Sequence, residues 1–195
     1  MQRSDIIQAA AQVIRKKGYH AASMQDIAEA VDLQKASLYH HVESKQEILV
    51  TILDKALDLL IADLEEVVSA ELPVEEKLRQ AMNVYIGRLT EEADLAAVLL
   101  LEYRSLEPKL RARHIKRRDR YETLWRQLLA EGMQSGELRP IDPAVATFAL
   151  MGVMNWMITW YRPDGSIGAL EFADQFADLF LRGMLTKEGT KIHGA

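Results

Sequence analysis

Ser23-Met-Gln-Asp-Ile-Ala-Glu-Ala-Val-Asp-Leu-Gln-Lys-Ala-Ser-Leu-Tyr-His-His-Val-Glu-Ser-Lys45 is the stretch around which the chain is organised. Ser23 with Asp26 three residues on reads as a helix start, and Ile27, Ala28 and Val31 recur at helical spacing, which predicts a short helix from Ser23 to Ala30. A second short helix is expected over Gln34 to His41, with Leu38 as its inward apolar residue. Only Val31-Asp32-Leu33 separates them. Two helices this short on so tight a connection fit a helix-turn-helix, in which the second helix enters the DNA major groove.

The residue types on the second helix suit that role. Lys35 and the following Lys45 can neutralise phosphates, Ser37 and Tyr39 can donate hydrogen bonds to phosphate oxygens or base edges, and Ala36 allows close approach or contact with a thymine methyl. Taken alone, the same residues would also serve on a surface helix of an ordinary bundle. A wider pattern decides between the two readings. Ile7-Xaa-Ala-Ala, Gly18-Tyr19, Ala22-Ser23, Ile27-Ala28 and Ser37-Leu-Tyr-His-His-Val-Glu-Ser-Lys-Xaa-Glu-Ile-Leu49 closely resemble the N-terminal domain of TetR-family transcriptional regulators. The resemblance implies that Tyr39 and Lys45 contact the DNA backbone, that Gln34, Lys35, Ala36, Ser37 and His40 lie on the recognition helix, and that Ser23 belongs to the same DNA-binding set. One departure is the turn residue: the family usually has glycine where this chain has Asp32. Aspartate tolerates left-handed backbone better than most residues, so the turn should form with slight strain.

Outward from this stretch, Ile6, Ile7, Ala10, Val13 and Ile14 predict a helix from Ser4, its expected cap, to Lys17, stopped by Gly18. It completes a three-helix unit. Ser44 and Glu47 form a capping-box pattern expected to open a long helix through Glu71, a natural lever between the DNA-reading unit and the rest. Pro73 should occupy the first position of the next helix, which reaches Thr90; a shorter one spans Leu95 to Arg104. Further helices are expected from Pro108 to Ser135, stopped by Gly136, from Asp142 to Tyr161, and from Leu170 to Leu185 with Phe172, Phe176, Leu179 and Phe180 as its apolar face. No segment reads as a strand. The expected fold is all-α with about nine helices: an N-terminal three-helix DNA-binding domain over 1–47 and a C-terminal helical ligand-binding and dimerisation domain over 48–195.

Composition narrows the function classes. Hydrophobic residues at 49% of 195 indicate a compact soluble protein, and the absence of cysteine excludes a disulfide framework and thiolate metal sites. The start has no secretory signal pattern and no stretch is expected to approach eighteen uncharged apolar residues, so a cytoplasmic protein without a membrane span is expected. Residues 1–47 hold six Lys or Arg against six Asp or Glu, so the net charge of −5 belongs wholly to the remainder. DNA affinity must then rest on a few well-placed cations, helix N-termini and dimerisation, and should be salt-sensitive.

The last two expected helices are apolar around more of their circumference than a one-sided surface helix needs. They serve either as central core or as half of a four-helix bundle with a second copy; the family resemblance implies the homodimer, whose two-fold axis presents two recognition helices to a palindromic operator on double-stranded DNA. Arg111-Ala-Arg-His114-Ile-Lys-Arg117-Arg-Asp-Arg120 carries six Lys or Arg in ten positions. As a solvated face it needs no explanation. The stripe of Leu110, Tyr121, Leu124, Trp125 and Leu128, however, places His114 and Arg117 inward, where they need an anion: Glu102, Glu91, or the acid, phosphate or thioester head of a metabolite. Asn155 falls on an apolar helix face with Phe148, Met151 and Ile158, and must also be paired inside. These groups, with Met82, Tyr85 and Tyr121, fit either an effector pocket or an internally satisfied polar network. The resemblance implies the pocket. A small lipophilic effector is expected, a fatty acyl-CoA first and a lipophilic drug or aromatic compound as the alternative, the former from a likeness of Leu99–Trp125 and Met151–Arg162 to family members tied to lipid metabolism.

An enzyme is not expected. No Glu-Xaa-Xaa-His pairs, Gly-rich phosphate loop or Gly-Xaa-Ser-Xaa-Gly elbow occurs, and of His20, His40, His41, His114 and His193 three lie in the DNA-reading unit; no cofactor or metal is implied. A helical adaptor or carrier without DNA binding is opposed only by the helix-turn-helix motif itself.

Overall fold

The computed structural model describes residues 2–184 of the 195-residue chain. Leu185, the expected end of the last helix, and His193 lie outside the described residues, as does the tail of the domain expected over 48–195. Among the described residues there are nine α-helices, one 3-10 turn and no strand: α1 Arg3–Lys17, α2 Met24–Glu29, α3 Lys35–Leu38, α4 Lys45–Ser69, α5 Val74–Glu91, α6 Ala93–Leu101, the 3-10 turn Tyr103–Ser105, α7 Pro108–Gln134, α8 Pro143–Trp160 and α9 Ala169–Met184. The all-α expectation holds in kind and order.

Several boundaries move for local reasons. Gln2, not Ser4, caps α1: the Asp5 carboxylate reaches back to the Gln2 amide at 2.8 Å, which starts the helix at Arg3 and leaves Ser4 inside the first turn. Pro73 stands just before α5 rather than in it, and the Val74 amide, which opens the helix, donates to the Glu137 carboxylate at 3.1 Å. Ser44 Oγ does accept from the Glu47 amide at 3.1 Å, but the Glu47 carboxylate takes the Glu43 amide instead of completing the box with Ser44. Helix α3 is shorter than expected because the chain tightens after Leu38. His40 and His41 donate back three residues, to Ser37 and Leu38, which tucks Val42 into the same core as Leu38.

The described residues pack as two compact units, residues 2–59 with 92–118 and residues 60–91 with 119–184. In the first, Ile6, Ala10 and Ile14 of α1, Ile27 and Ala28 of α2, Leu38, and Ile48, Leu49, Ile52 and Leu53 of α4 share a fully buried core, and α6 lies along α1. In the second, Trp125, Leu128 and Leu129 of α7 join Leu78, Met82, Tyr85 and Ile86 of α5 and Leu150, Met154 and Met157 of α8. Helix α9 packs chiefly on α5.

Helices α8 and α9 depart from expectation in which side they bury. α8 runs eighteen residues without a charge, so the expectation that no stretch approaches this length is corrected; by length and composition alone it could cross a membrane. It is not uniformly buried. Ala146, Thr147, Leu150, Met154 and Met157 face the core, whereas Val145, Phe148, Val153, Trp156 and Trp160 are exposed. In α9 the small residues Ala173 and Ala177, with Leu181 and Met184, face inward. The residues expected there as the apolar face are not buried: Phe172, Phe176 and Phe180 are half-buried, the first two edge-on to Trp160, and Leu179 is 70% exposed. Small side chains let α9 approach α5 closely, and the large ones are left to the other side.

Candidate DNA-reading surface and interior polar cluster

Helix α2 begins at Ser23 with a complete reciprocal cap: Ser23 Oγ accepts from the Asp26 amide at 3.1 Å and the Asp26 carboxylate accepts from the Ser23 amide at 2.9 Å. Lys17 Nζ also donates to that carboxylate at 2.8 Å and, with the cap bonds, draws the Asp26 pKa down to about 2. The Ser23 amide and one lone pair of its hydroxyl are thus committed to the helix start, while the hydroxyl can still donate. The turn that follows is a Schellman arrangement, with Leu33 donating to Ala28 O and Asp32 to Glu29 O, and Asp32 takes φ 52° as its position requires. Leu38 at 0% exposure and Val42 at 2% anchor α3 from beneath. Gln34, Lys35, Ala36, Tyr39 and His40 consequently form one exposed face, with Ser37 half-buried beside it. Five side chains of the expected recognition set thus point the same way because one apolar residue points the other.

Lys45 differs from that group. Its ammonium donates to the carbonyls of Tyr19 at 2.8 Å and Ala22 at 2.7 Å and stands 4.4 Å from the centre of the Tyr19 ring. It closes the loop between α1 and α2, leaving a single N–H for any other acceptor. Neither Lys17 nor Gln46, which organise this surface from behind, carries a sequence signal; their partners are 9 to 61 residues away.

The residues expected to line an effector site are divided by the fold. In the second unit, Met82, Tyr85 and Tyr121 are buried, and the Tyr85 hydroxyl donates to Asn155 Oδ1, which answers what pairs with Asn155. Tyr85 and Tyr121 stack with ring centres 6.2 Å apart, and Trp125 meets each edge-on at 6.5 and 6.4 Å. Burial pushes both phenol pKa values up, so both remain neutral donors. Met151 is half-buried; Phe148 is 57% exposed beneath the Arg126 guanidinium, 5.4 Å from its ring centre. His114 and Arg117 belong instead to the first unit. Arg117 pairs with Asp58 and, at 3.4 Å, with Asp54, not with Glu102 or Glu91 as expected, and Arg113 joins Asp54 at 2.6 Å. His114 lies on the inward side, as expected, but as a neutral ring rather than a cation. His114 is buried at 3% exposure, and desolvation, with Arg118 close by, lowers its pKa and favours the neutral ring.

A tight helical pair with one outward polar face on a three-helix core defines a helix-turn-helix DNA-binding regulator. Residues 6–52 match the family described as bacterial regulatory proteins, tetR family, and residues 71–184 match the tetracyclin repressor-like C-terminal domain. The chain belongs to the tetR family, and it is a DNA-binding, ligand-responsive transcriptional regulator. It is similar to PfmR, a TetR-family regulator from Thermus thermophilus, at 40% identity over 91% of this chain and 97% of that one, with a TM-score of 0.85. It resembles AibR, solved in complex with isovaleryl coenzyme A and operator DNA, at 29% identity over 95% and 98% of the two chains, with a TM-score of 0.83. The transcriptional repressor KstR2 of Mycobacterium tuberculosis is 26% identical over 96% of this chain and 94% of its own length.

Proposed function

We propose that this regulator is a dimeric, cytoplasmic repressor of a palindromic operator, released by a CoA thioester. The similarity to AibR along nearly the whole of both chains is the observation that carries the effector class. The chemistry of the second unit agrees with it. Tyr85, Tyr121 and Asn155 offer polar groups within an interior of Met82, Met151 and Trp125, which suits an apolar acyl chain ending in a hydrogen-bonding head. Phe148 lies at the margin of that set. His114 and Arg117 belong to the first unit and are not assigned to this set. The aromatic ring cluster Tyr85–Tyr121–Trp125 also favours a second reading, a flat aromatic effector.

On the DNA side, Gln34, Lys35, Ala36, Ser37 and His40 are assigned to the major groove and Tyr39 to a backbone phosphate, with Ser23 at the head of α2 and the remaining N–H of Lys45 adding phosphate contacts. Functionally this divides the chain at residue 47 into reading and responding parts. The outward apolar faces of α8 and α9 would meet their two-fold copies and set the recognition helices about 34 Å apart, one turn of B-DNA. Ligand favours a dimer with the wrong spacing, and the loss of one groove match lowers affinity by several kcal/mol, on the order of that separating specific from non-specific binding.

The test is to select DNA from a random pool and titrate the complex with isovaleryl-CoA, palmitoyl-CoA and free coenzyme A. Release by an acyl-CoA but not by coenzyme A is expected; release only by aromatic compounds would replace the effector assignment. Tyr39→Ala should cost specific binding at least about tenfold, as loss of a charge-supported phosphate contact would, while leaving the dimer folded by circular dichroism and sedimentation. Unchanged operator affinity would remove α3 from the interface.

A further inference from the structure

Gln46, the second residue of α4, engages both the nitrogen and the oxygen of its side-chain amide. Its Nε2 donates to the Tyr19 hydroxyl at 2.7 Å and to the Ser105 carbonyl at 2.9 Å, and its Oε1 accepts from the Glu107 amide at 3.0 Å. The three partners belong to two places. Tyr19 lies in the α1–α2 loop, where Lys45 already grips its carbonyl and its ring face. Ser105 and Glu107 flank buried Leu106 and lead directly into Pro108, the first residue of α7. A second tie runs beside it, where Ser105 Oγ and His20 Nε2 stand 3.3 Å apart.

The position of these bonds matters more than their number. The first turn of α4 is where the chain emerges from α3, six residues after Tyr39, so whatever shifts Gln46 shifts the mount of the recognition helix. Helix α7 is continuous from Pro108 to Gln134 and carries Tyr121 and Trp125 further along the same rod. A glutamine held by three bonds, two of them to backbone groups of the connecting segment, makes the junction stiff.

We propose that Gln46 is the positioning residue that couples the start of α7 to the DNA-reading helices, so that DNA binding and the state of α7 are linked through its side chain. The ligand arm of the idea rests on the effector reading above; the DNA arm does not. Because coupling between two sites is reciprocal, operator binding must be felt at the start of α7 whether or not the effector is known.

The experiment uses the full-length protein, DNA selected from a random pool, and hydrogen exchange of the peptide spanning residues 102–112 with and without that DNA. In the wild type the DNA should slow exchange there by about fivefold or more, within the usual range of allosteric coupling. Gln46→Met keeps the side-chain length and removes all three bonds; it should abolish the slowing at 102–112 while leaving DNA-dependent protection of residues 33–42 in place. Tyr19→Phe removes only the bond on the reading side and should give a partial loss, so the idea can fail even if Gln46→Met does not fold. Equal slowing in wild type and both variants, or none in the wild type, overturns the coupling role. In parallel, the ratio of operator affinities with and without palmitoyl-CoA should fall toward one in Gln46→Met while the affinity of the free protein for palmitoyl-CoA stays within about twofold. If no acyl-CoA acts on the wild type, the effector assignment fails and the hydrogen-exchange result still decides the role of Gln46.

Discussion

His114 occupies one position of a helix face crowded with arginines, and its environment works against its charge. Burial and the neighbouring Arg118, Arg117 and Arg113 outweigh the single attraction of Asp54. Its folded-state pKa therefore lies below the unfolded value of 6.5. The sign follows: a ring kept neutral when folded but free to protonate when unfolded contributes fully above about pH 6.5, and its contribution is lost as pH falls below that. Thermal unfolding should accordingly soften between about pH 7.5 and 5.5 in the wild type and less so in His114→Gln, which stays neutral throughout. Parallel curves for the two proteins would mean that the ring is solvated. Helical periodicity places this residue inward from sequence; that burial and the neighbouring arginines outweigh Asp54 is not legible there, because Asp54 is sixty residues away in the chain.

At the scale of the element, α7 shows how a glycine can be worth more than its helix propensity. Alanine is the better helix former by about 1 kcal/mol in an exposed helix interior, and Gly132 sits near the end of a 27-residue helix. A Cβ at this position would stand 2.7 Å from Leu138 Cδ1 and from Val74 Cγ1. Overpacking of this kind costs roughly 1–3 kcal/mol and outweighs the propensity gain. Gly132→Ala is expected to lower the urea midpoint, and a raised midpoint would show that Leu138 and Val74 yield freely. Helices α8 and α9 carry the complementary lesson. Their apolar character is plain from sequence, but which side faces the core is not, since α9 buries alanines, leaves its phenylalanines half-buried and turns Leu179 outward.

For the whole molecule, those outward faces give the strongest handle on assembly. Trp156 is 66% exposed in the single chain, amid Val153, Trp160 and Phe148. In a two-fold four-helix interface it would be covered twice, once in each copy. Trp156→Glu places a carboxylate there, and the protein should sediment as a folded monomer with operator affinity reduced at least about a hundredfold, since one half-site is then read alone. A dimer that survives the change would move the interface elsewhere on the surface.

The helix-turn-helix was decided by local sequence: Ser23 and Asp26 cap each other across three residues, Asp32 accepts the left-handed turn, and Leu38 fixes which side of α3 is exposed. Interactions of that range depend on spacing along one or two turns of helix and can be read without coordinates. What joins distant segments was decided only by tertiary structure. Lys45 folds back onto the Tyr19 and Ala22 carbonyls, Asn155 finds Tyr85, Arg117 finds Asp54 and Asp58, and Gln46 spans to Ser105 and Glu107. A polar side chain takes whichever complementary group the packed core brings within about 3 Å, and sequence spacing carries no record of that meeting.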